Sequence, residues 1–335
     1  MKVLLTGGTG FIGSHTAVCL LESGHTAVLY DNLSNSKADV VDAIEAITGT
    51  RVPFIQGDIR DKAALVAAMR EHDVEAVIHF AGLKAVGESV EMPLLYYDNN
   101  IAGTVVLLQA MQECGVDKLI FSSSSTVYGT PSVLPLTEDM PTGTPTNPYG
   151  RTKLMIENIL RDLCTAQPNF SAVCLRYFNP IGAHASGLIG EDPNGIPNNL
   201  LPYVARVASG KLQYVRVFGN DYPTPDGTGV RDYIHVVDLA RGHVDALGYA
   251  EKHKGWDAIN LGTGRGSSVL EVIKAFEAAC GREIPYKIMP RRAGDIAANW
   301  CCPDKAQKLL GWRARYDLAK MCASSWNFEQ KHAQS

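Results

Sequence analysis

Residues 6–15 of the chain read TGGTGFIGSH, between the apolar stretch KVLLT and a run with helical apolar spacing. This segment places Gly7, Gly10 and Gly13 three residues apart, at the turn from a predicted strand into a predicted helix. Glycines there permit a tight turn, close approach of the backbone to a pyrophosphate, and close packing of the helix on its sheet. The N–H groups at the helix N-terminus face the anion. The stretch predicts a dinucleotide-binding loop, with a purely structural turn as the alternative.

The acidic residue that ends the second predicted strand favours one dinucleotide over another. Asp31 lies 18 residues past Gly13, where a carboxylate can accept hydrogen bonds from an adenosine ribose. It would repel the additional phosphate of NADP, so NAD is the predicted cofactor. Lys37, a few residues later, is interpreted as a solvated surface lysine. Asp58 ends the third predicted strand and can meet the adenine, or it can simply cap the following turn.

Strand and helix patterns alternate through the first half of the chain. The predicted strands are KVLLT, TAVLY, VPFIQGD, EAVIHFAG, KLIFSSS and AVCLRYFN, and the predicted helices cover 11–23, DKAALVAAMREH, about 93–114 and the segment after Asn147. Apolar strands that alternate with helices are typical of a parallel sheet covered on both faces. The sequence therefore predicts an α/β protein with a Rossmann-type, doubly wound parallel sheet.

The composition changes after Asn179, where glycine, proline, asparagine and aspartate become frequent. Shorter elements are predicted beyond this point, including helices near 199–209 and 268–280. We expect an NAD-binding Rossmann domain over residues 1–179 and a smaller α/β substrate domain over 180–335. Some segments of the second are expected to return and pack on the first. The second domain would close over the carboxyl ends of the strands, where open α/β sheets bind ligands.

The composition argues against several classes of function. The 335 residues are 46% hydrophobic, with a net charge of −4 and a pI near 6.1, so no general attraction to nucleic acid or anionic membranes is expected. No apolar stretch approaches the roughly 18 residues of a membrane span. The eight cysteines form no CxxC pair, which argues against a zinc or redox site and fits reduced thiols in a cytoplasmic protein. No metal is predicted, because the histidines that could suggest one are far apart in sequence: His15, His79, His184, His235 and His243.

A tyrosine and a lysine share one face of the helix that starts in 147-NPYGRTK-153. Tyr149 precedes Lys153 by four residues, on the same apolar stripe as Ile156. The lysine charge stabilises tyrosinate and lowers the phenol pKa, so that a phenolate can take a proton from a hydroxyl as hydride leaves the same carbon. Ser124, at the end of the fifth predicted strand, can hold the substrate oxygen. The alternative is an ordinary amphipathic tyrosine beside a lysine that extends to solvent.

Together these motifs resemble the extended short-chain dehydrogenase/reductase family, and within it the sugar-nucleotide 4-epimerases that act on UDP-glucose and UDP-galactose. Matching segments run through nearly the whole chain, and the most specific are FAGLKAVGES and PTPDGTGVRDYIHV. The resemblance implies a homodimeric isomerase of galactose metabolism. Tyr149 would take the proton of the sugar 4-hydroxyl as hydride passes from C4 to a permanently bound NAD. The 4-keto sugar would then turn within the site and receive the hydride on its other face.

The resemblance also implies which residues contact each ligand, with Ser124, Tyr149 and Lys153 as the catalytic residues. The NAD site would comprise Gly7, Gly10, Phe11, Ile12, Gly13, Asp31, Asn32, Leu33, Ser34, Asn35, Ser36, Asp58, Ile59, Phe80, Ala81, Gly82, Lys84, Asn99, Ser124, Tyr149, Lys153 and Phe178. The UDP-sugar site would comprise Lys84, Ser124, Tyr149, Asn179, Asn199, Leu200, Arg216, Val217, Phe218, Arg231, Arg292, Asp295 and Asn299. The guanidinium forks of Arg231 and Arg292 suit diphosphate oxygens, and Asp295 can accept a hydroxyl.

Two other functions are compatible with the same fold. The first is a sugar-nucleotide 4,6-dehydratase, which in this family carries Asp and Glu directly after the position of Ser124. This chain has Ser125 and Thr126 there, and neither side chain can serve as that acid and base. The second is a NAD-binding regulator without catalysis, which would typically lack the tyrosine–lysine pair.

The resemblance breaks at Asn299, where closely similar epimerases restricted to plain hexoses carry tyrosine. Family members that also turn over N-acetylated sugars carry a smaller residue there. Asparagine leaves room for a 2-acetamido group and can hydrogen-bond it. Either the protein also accepts UDP-N-acetylhexosamines, or Asn299 is a neutral substitution whose space a neighbouring side chain fills.

Overall fold

A computed structural model of the protein describes residues 1–193, 195, 197, 199–292 and 294–332. Its strands are β1 (Lys2–Thr6), β2 (Thr26–Asp31), β3 (Phe54–Gln56), β4 (Ala76–His79), β5 (Lys118–Ser124), β6 (Ser171–Tyr177), β7 (Asn179–Ile181), β8 (Val215–Phe218), β9 (Val230–His235), β10 (Gly255–Leu261), β11 (Gly266–Ser268), β12 (Tyr286–Met289) and β13 (Ala298–Asn299). Its α-helices are α1 (Phe11–Glu22), α2 (Val40–Thr48), α3 (Lys62–Glu71), α4 (Val86–Glu91), α5 (Pro93–Tyr96), α6 (Gly103–Cys114), α7 (Pro148–Ala166), α8 (Leu200–Ala208), α9 (Val236–Lys252), α10 (Val269–Cys280), α11 (Asp304–Leu310) and α12 (Leu318–His332). A π-helical segment, Tyr97–Ala102, joins α5 to α6, and a 3₁₀ turn, Ser125–Tyr128, follows β5.

The main sheet contains seven parallel strands in the order β10-β6-β5-β4-β1-β2-β3. Strand order reverses between β1 and β4, and in such sheets the crevice outside the carboxyl ends at this reversal is where ligands bind. All seven residues of β6 are buried, as are all residues of β1 after Lys2. Continuous burial is expected for strands covered on both faces. The predicted α/β class with a doubly wound parallel sheet is confirmed.

Helices cover both faces of this sheet with separate apolar clusters. Leu5 of β1 joins the cluster that includes Leu20 of α1 and Leu247 of α9. Its neighbour Leu4 joins the opposite cluster, which includes Leu107 of α6 and Leu160 of α7. Neighbouring strand residues divide in this way because successive side chains point to opposite faces. The two clusters hold the sheet as a rigid platform for the residues at its carboxyl edge.

The later half of the chain forms two small sheets and returns two elements to the main one. Strands β7, β9, β11 and β13 form one sheet, β8 and β12 the other, and helices α8, α10 and α12 pack together around Phe276. Helix α9 packs on α1, and strand β10 extends the main sheet beside β6. Neither α9 nor β10 was among the elements identified from the sequence. The domain boundary at residue 179 stays a prediction.

Two predicted elements differ in detail from the structure. The helix expected over about 93–114 is interrupted by the π-helical segment, and the separate helix α4 precedes it. The strand expected over VPFIQGD is regular only at Phe54–Gln56, although backbone bonds from Leu29 N to Pro53 O and from Gly57 N to Asp31 O extend the pairing at both ends. Across the described residues, no helix combines the length and apolarity needed to cross a membrane.

Candidate functional site

The glycine loop leads from the end of β1 into the N-terminus of helix α1. Gly7 has a φ of +70°, which favours glycine, and a Cβ on Gly13 would lie 2.3 Å from the Gly7 carbonyl oxygen. Gly10 caps the helix without any side-chain hydrogen bond, and the first turn contains no acidic residue. The first N–H groups of α1, which have no partner within the helix, and the positive end of the helix dipole lie at the carboxyl end of β1. This arrangement fits a pyrophosphate.

Asp31 lies at the end of β2 and is buried. One carboxylate oxygen accepts a hydrogen bond from Thr9 N (3.2 Å), and the other accepts from Leu33 N (2.9 Å) and the Ser36 hydroxyl (3.1 Å). The carboxylate thus ties the glycine loop to the loop after β2. Its place at the end of that strand, beside the glycine loop, is the one expected for a ribose acceptor.

The neighbouring Asp58 has the capping role that the sequence left open. Its Oδ1 accepts from Arg60 N (2.9 Å), and a further oxygen accepts from the Asn32 amide (3.3 Å). Hydrogen bonds from the Arg60 guanidinium lower the pKa of Asp58 to about 2. Lys37 is not simply solvated, as the sequence interpretation had it, because its ammonium pairs with Asp192 at 2.5 Å.

An asparagine that the sequence reasoning missed holds the loop after β4. Asn100 is buried in the π-helical segment, where its Oδ1 accepts from Leu83 N (2.8 Å) and its Nδ2 donates to Leu83 O (3.0 Å). The same amide donates to Thr152 Oγ1 on α7 (3.2 Å), and the predicted cofactor residue Asn99 donates to Asn100 Oδ1 (2.9 Å). The only sequence signal was the pair of asparagines in YYDNN. Asn100 connects the Phe80–Lys84 loop to the helix that carries the catalytic residues.

Helix α7 begins as the sequence predicts and brings its tyrosine and lysine to the end of β5. The Asn147 side chain accepts a hydrogen bond from Gly150 N (2.9 Å), and Pro148 occupies the first turn. Lys153 Nζ donates to Ser122 O (2.6 Å) and to Ser122 Oγ (3.3 Å). The same ammonium lies 5.9 Å from the centroid of the Tyr149 ring. The Ser124 hydroxyl hydrogen-bonds the Tyr149 phenol, so the three predicted catalytic residues meet.

The protonation of this group differs from the sequence prediction in one respect. Burial lowers the pKa of Lys153 to about 7, because the ammonium loses its contact with water. Burial also raises the pKa of Tyr149, with only the Ser124 hydrogen bond acting in the opposite direction. The prediction of a lowered phenol pKa is therefore wrong for the protein alone. Lowering it requires positive charge beside the ring, and near pH 7 Lys153 carries only part of its charge.

The predicted substrate residues lie on the elements of the later half. Asn179 begins β7, Asn199 precedes α8, Leu200 begins α8, Arg216, Val217 and Phe218 belong to β8, and Arg231 belongs to β9. The Arg292 guanidinium lies 4.7 Å from the Phe218 ring centroid and donates from Nε to Asp295 Oδ2 (2.9 Å). The Val217 side chain is buried in the apolar cluster around Phe276.

Glu191, which the sequence reasoning did not select, links a residue of the predicted cofactor site, Lys84, to one of the predicted substrate site, Asn199. Its Oε1 accepts from Lys84 Nζ (3.3 Å) and from the Asn199 amide (2.5 Å). Lys84 follows the fourth strand of the main sheet, whereas Asn199 belongs to the later half. A lone glutamate in a glycine- and proline-rich segment gives no pattern from which this bridge can be predicted.

Asn299 is placed beside the catalytic group by strand pairing. It stands opposite Arg231 in the β13–β9 register, and its Nδ2 donates to Ser125 Oγ (3.2 Å). Its Oδ1 is buried and has no hydrogen-bond partner among the residues that the structure describes. Thr126 donates from Oγ1 to Ser124 Oγ (3.0 Å). Ser125 and Thr126 thus support their neighbours by neutral hydrogen bonds and supply no acid or base.

Comparison with known proteins agrees with this site. A family model described as GDP-mannose 4,6 dehydratase matches residues 4–325. A UDP-glucose 4-epimerase of Bacillus subtilis (strain 168) is 59% identical over 332 residues, which are 99% of this chain and 98% of that protein.

Two solved structures share the whole fold. The UDP-glucose-4-epimerase of Stenotrophomonas maltophila, with bound NAD and formylated UDP-arabinopyranose, is 52% identical with a TM-score of 0.97, covering 100% of this chain and 99% of that one. The enzyme of Bifidobacterium longum, in complex with NAD⁺ and UDP, is 56% identical with a TM-score of 0.97, covering 99% of each chain. The chain therefore belongs to the UDP-glucose 4-epimerases, within the extended short-chain dehydrogenase/reductase family.

Proposed function

We propose that the protein interconverts UDP-galactose and UDP-glucose by transient oxidation at C4 of the sugar, with NAD retained between turnovers, as a step of galactose metabolism. The observation that carries the proposal is the meeting of Ser124, Tyr149 and Lys153 at the end of β5. They lie at the same edge of the sheet as the glycine loop that leads into the N-terminus of α1. An acid–base group beside a hydride carrier is what an oxidation followed by a reduction requires.

The residues of the crevice suit NAD. The uncapped start of α1 and the close backbone packing at Gly13 would receive the pyrophosphate, and Asp31 would accept the adenosine ribose hydroxyls. When bound there, NAD would supply the hydride acceptor and donor for C4 of the sugar and, in its oxidised form, a positive charge. Lys84 would add a cation for the pyrophosphate in place of its present partner, Glu191.

The protein's own residues handle the proton and hold the sugar nucleotide. Ser124 would hold the 4-oxygen and its hydrogen bond keeps the Tyr149 phenol in position, while the phenolate takes the 4-hydroxyl proton and later returns it. Lys153 supplies the positive charge that favours the phenolate. Arg231 and Arg292 would grip the diphosphate, so that the 4-keto sugar can turn over without leaving the site. No proton or electron is gained or lost over the full cycle.

A second, finer proposal concerns substrate range. The buried Asn299 Oδ1 has no partner, while the same side chain is held in place by its bond to Ser125. An unpaired buried acceptor is costly, and the N–H of a 2-acetamido group would satisfy it. We therefore propose that UDP-N-acetylhexosamines are also substrates.

An apolar patch on α4, α5 and α7 supports a homodimer. Its exposed side chains are Val86, Val90, Met92, Leu94, Leu95 and Met155, and Leu94 is 80% exposed. α4 and α5 both pack against α7, so the patch is continuous across three helices. Exposed apolar side chains clustered in this way mark an interaction surface, and a second copy would cover them. The free state of all eight cysteines suits the reducing cytoplasm, which we propose as the location.

The function is tested by incubating the purified protein with UDP-galactose and without added NAD. We expect UDP-glucose to accumulate until equilibrium is reached, and denatured protein to release close to one NAD per chain. Formation of a 4-keto-6-deoxy sugar nucleotide would instead support a dehydratase. Binding of NAD without turnover of either sugar nucleotide would support a regulator.

A further inference from the structure

A buried row of hydrogen-bonding groups starts at Lys153 of α7 and extends away from the site, onto the other face of the sheet, which α1 and α9 cover. The row comprises Lys153, Ser122, Tyr177 and His243, and each is buried or nearly so. Ser122 and Tyr177 meet because Ser124 pairs with Tyr177 in the β5–β6 register, and side chains two residues apart share a face. His243 reaches Tyr177 from α9. We call these four residues the Lys153–His243 network.

The direction of every hydrogen bond in the network is fixed from its far end. His243 Nδ1 lies 2.9 Å from the Leu239 carbonyl oxygen, which can only accept, so this nitrogen carries the proton. Burial lowers the pKa of His243 to about 4, and the neutral ring leaves Nε2 as an acceptor. The Tyr177 hydroxyl therefore donates to His243 Nε2. Its oxygen is left to accept, and the Ser122 hydroxyl, which the strand register places beside it and which acts to lower the pKa of Tyr177, is the donor.

Lys153 lies at the end of this row where the oxygen atoms of Ser122 accept hydrogen bonds from its ammonium. Its ammonium donates to Ser122 Oγ at 3.3 Å and to Ser122 O at 2.6 Å. Because Ser122 donates onward to Tyr177, and Tyr177 to His243, each bond polarises the next and increases the negative partial charge that Ser122 Oγ presents to the ammonium.

Few other groups can stabilise that charge. The rings of Phe121 and Tyr149 lie 4.8 and 5.9 Å from Lys153 Nζ, and Cys174 of β6 is also nearby. His79 of β4 is neutral, with its pKa lowered to about 3 by burial and by Lys153. Among the described residues no carboxylate forms a hydrogen bond or ion pair with Lys153.

Among the described residues, none that acts on the pKa of His243 at the far end of the network is charged. The ring of His243 packs against Phe80 at 4.8 Å and against Tyr177 at 5.2 Å between centroids. Apart from burial, the Leu239 carbonyl is what acts on the pKa of His243, and it favours the protonated ring. Burial raises the pKa of Tyr177 well above its ordinary value. Tyr149 raises this pKa further, and Ser122 lowers it. The network therefore remains neutral through the working pH range, so its effect on Lys153 is one of oriented dipoles.

We propose that His243 and Tyr177 are positioning residues for the reaction, which act through Ser122 to keep Lys153 protonated beside Tyr149. The inference rests on the proposed function and adds to it two residues that need not touch the substrate. Loss of the acceptor at position 243 frees the Tyr177 hydroxyl to rotate, and the polarisation of Ser122 is lost. Lys153 then gives up its proton more readily, and the Tyr149 phenolate loses its counter-charge.

The test compares His243→Leu, Tyr177→Phe and the conservative His243→Gln, whose Oε1 can take the place of Nε2. Lysine labelled with ¹³C at Cε reports the Lys153 titration by NMR, with Lys153→Met to assign the signal. We expect the pKa of Lys153 to fall by roughly half to one unit in His243→Leu and Tyr177→Phe. In His243→Gln most of this shift should be restored. In the same two variants the acid limb of kcat should move to higher pH, with the KM for UDP-galactose little changed.

His15→Leu is the matched control. His15 is also buried on a helix with Nδ1 bonded to the carbonyl four residues earlier, but its Nε2 has no partner. It should leave the Lys153 titration unchanged. An unshifted Lys153 pKa in Tyr177→Phe would overturn the proposal, as would equal shifts in His243→Leu and His243→Gln. The NMR titration requires no turnover, so it is independent of whether the proposed reaction is correct. If His243→Leu does not fold, the Lys153 titration in Tyr177→Phe, which keeps the ring, tests the proposal.

Discussion

Tyr149 carries the acid–base step, and its replacement by phenylalanine separates chemistry from binding. Tyr149→Phe removes the hydroxyl but keeps the ring that contacts Lys153. We expect UDP-sugar affinity, measured by calorimetry, to change little, while kcat falls by roughly 10²–10⁴-fold, the usual range for general acid–base catalysis. Lys153→Met should also lower kcat and move the acid limb of its pH profile upward. Near-normal turnover of Tyr149→Phe would show that another group moves the proton.

Asn299 decides the proposed substrate range. In Asn299→Tyr the ring takes the space beside Ser125 and removes the unpaired Oδ1. We expect the native protein to epimerise both UDP-N-acetylglucosamine and UDP-glucose, and the variant to lose the first activity and keep the second. Product analysis of both reactions by chromatography provides the measurement. If the native protein leaves the acetylated sugar unchanged, the broader substrate range is wrong.

Residue identities could be predicted from the sequence wherever a motif places them, but their pKa values could not. The spacing of Tyr149 and Lys153 is local, so a single helix was enough to bring them to one face. The direction of the Tyr149 pKa shift depends on how deeply the finished fold buries the phenol, and no local pattern contains that information. Asn100 and Glu191 were missed for a related reason, because each acts on a loop distant in sequence.

At the scale of one element, the junction of the glycine loop and α1 should be intolerant of a single methyl group. Gly13→Ala would place Cβ 2.3 Å from Gly7 O, so the loop must shift and the crevice loses its fit to a pyrophosphate. We expect purified Gly13→Ala to carry far less NAD than the native protein, measured by release on denaturation. Gly248→Ala is the control, because outside its own stretch of helix no atom of the described residues lies within 4 Å of the added Cβ. It should keep its NAD and gain about 0.5–1 kcal/mol of stability, since alanine favours a helix. Equal NAD contents in both variants would contradict the assignment of the loop.

The elements that the sequence failed to predict are those whose partners come from far along the chain. The first six strands of the main sheet were recognised because each lies in a local strand–helix alternation. Strand β10 pairs with β6 after an excursion through the later half, and the composition change after Asn179 concealed this return. The sequence predicts one regular helix across the π-helical segment because the residues before and after it have helical apolar spacing.

For the whole molecule, buried neutral histidines predict loss of stability in mild acid. Burial lowers the pKa of His15 and His79 to about 3, and of His235 and His243 to about 4. The unfolded chain binds these protons near pH 6.5. The stability is therefore fully present above pH 6.5 and is lost as the pH falls toward 4, by up to roughly 1.4 kcal/mol per histidine per pH unit. Carboxyls with raised pKa values, such as Glu138 and Asp232, oppose this trend at the acid end.

Urea unfolding at pH 7.5, 6.5 and 5.5 measures this effect. The midpoint should change little between the first two values and fall clearly by the third. His15→Leu has one fewer withheld proton, so its free energy of unfolding should decline less steeply over the same range. A decline as steep as in the native protein would show that His15 does not titrate as its burial implies.

Because the apolar side chains on α4, α5 and α7 are exposed in the single chain, we expect a substitution there to prevent dimer formation without disturbing the fold. Leu94→Glu places a charge on the most exposed side chain of the patch. We expect sedimentation to show a dimer for the native protein and a monomer for this variant, with unchanged circular dichroism. Val133→Glu, at a 61% exposed valine in the loop after Tyr128, is the matched control and should remain dimeric. If the native protein sediments as a monomer, the proposal of a homodimer is wrong.

Strand β10 is synthesised long after β6, the strand with which it pairs, and this order has a consequence during translation. Strand β6, which is mostly apolar and is buried along its whole length in the finished fold, leaves the ribosome about eighty residues before its outer partner. At a translation rate of ~5–20 residues per second, this edge waits on the order of ten seconds without its neighbour. An unpaired apolar edge is a template for association with other nascent chains. The N-terminal half is thus a vulnerable intermediate on the polysome, and a truncation before residue 255 should aggregate rather than fold as an isolated cofactor domain.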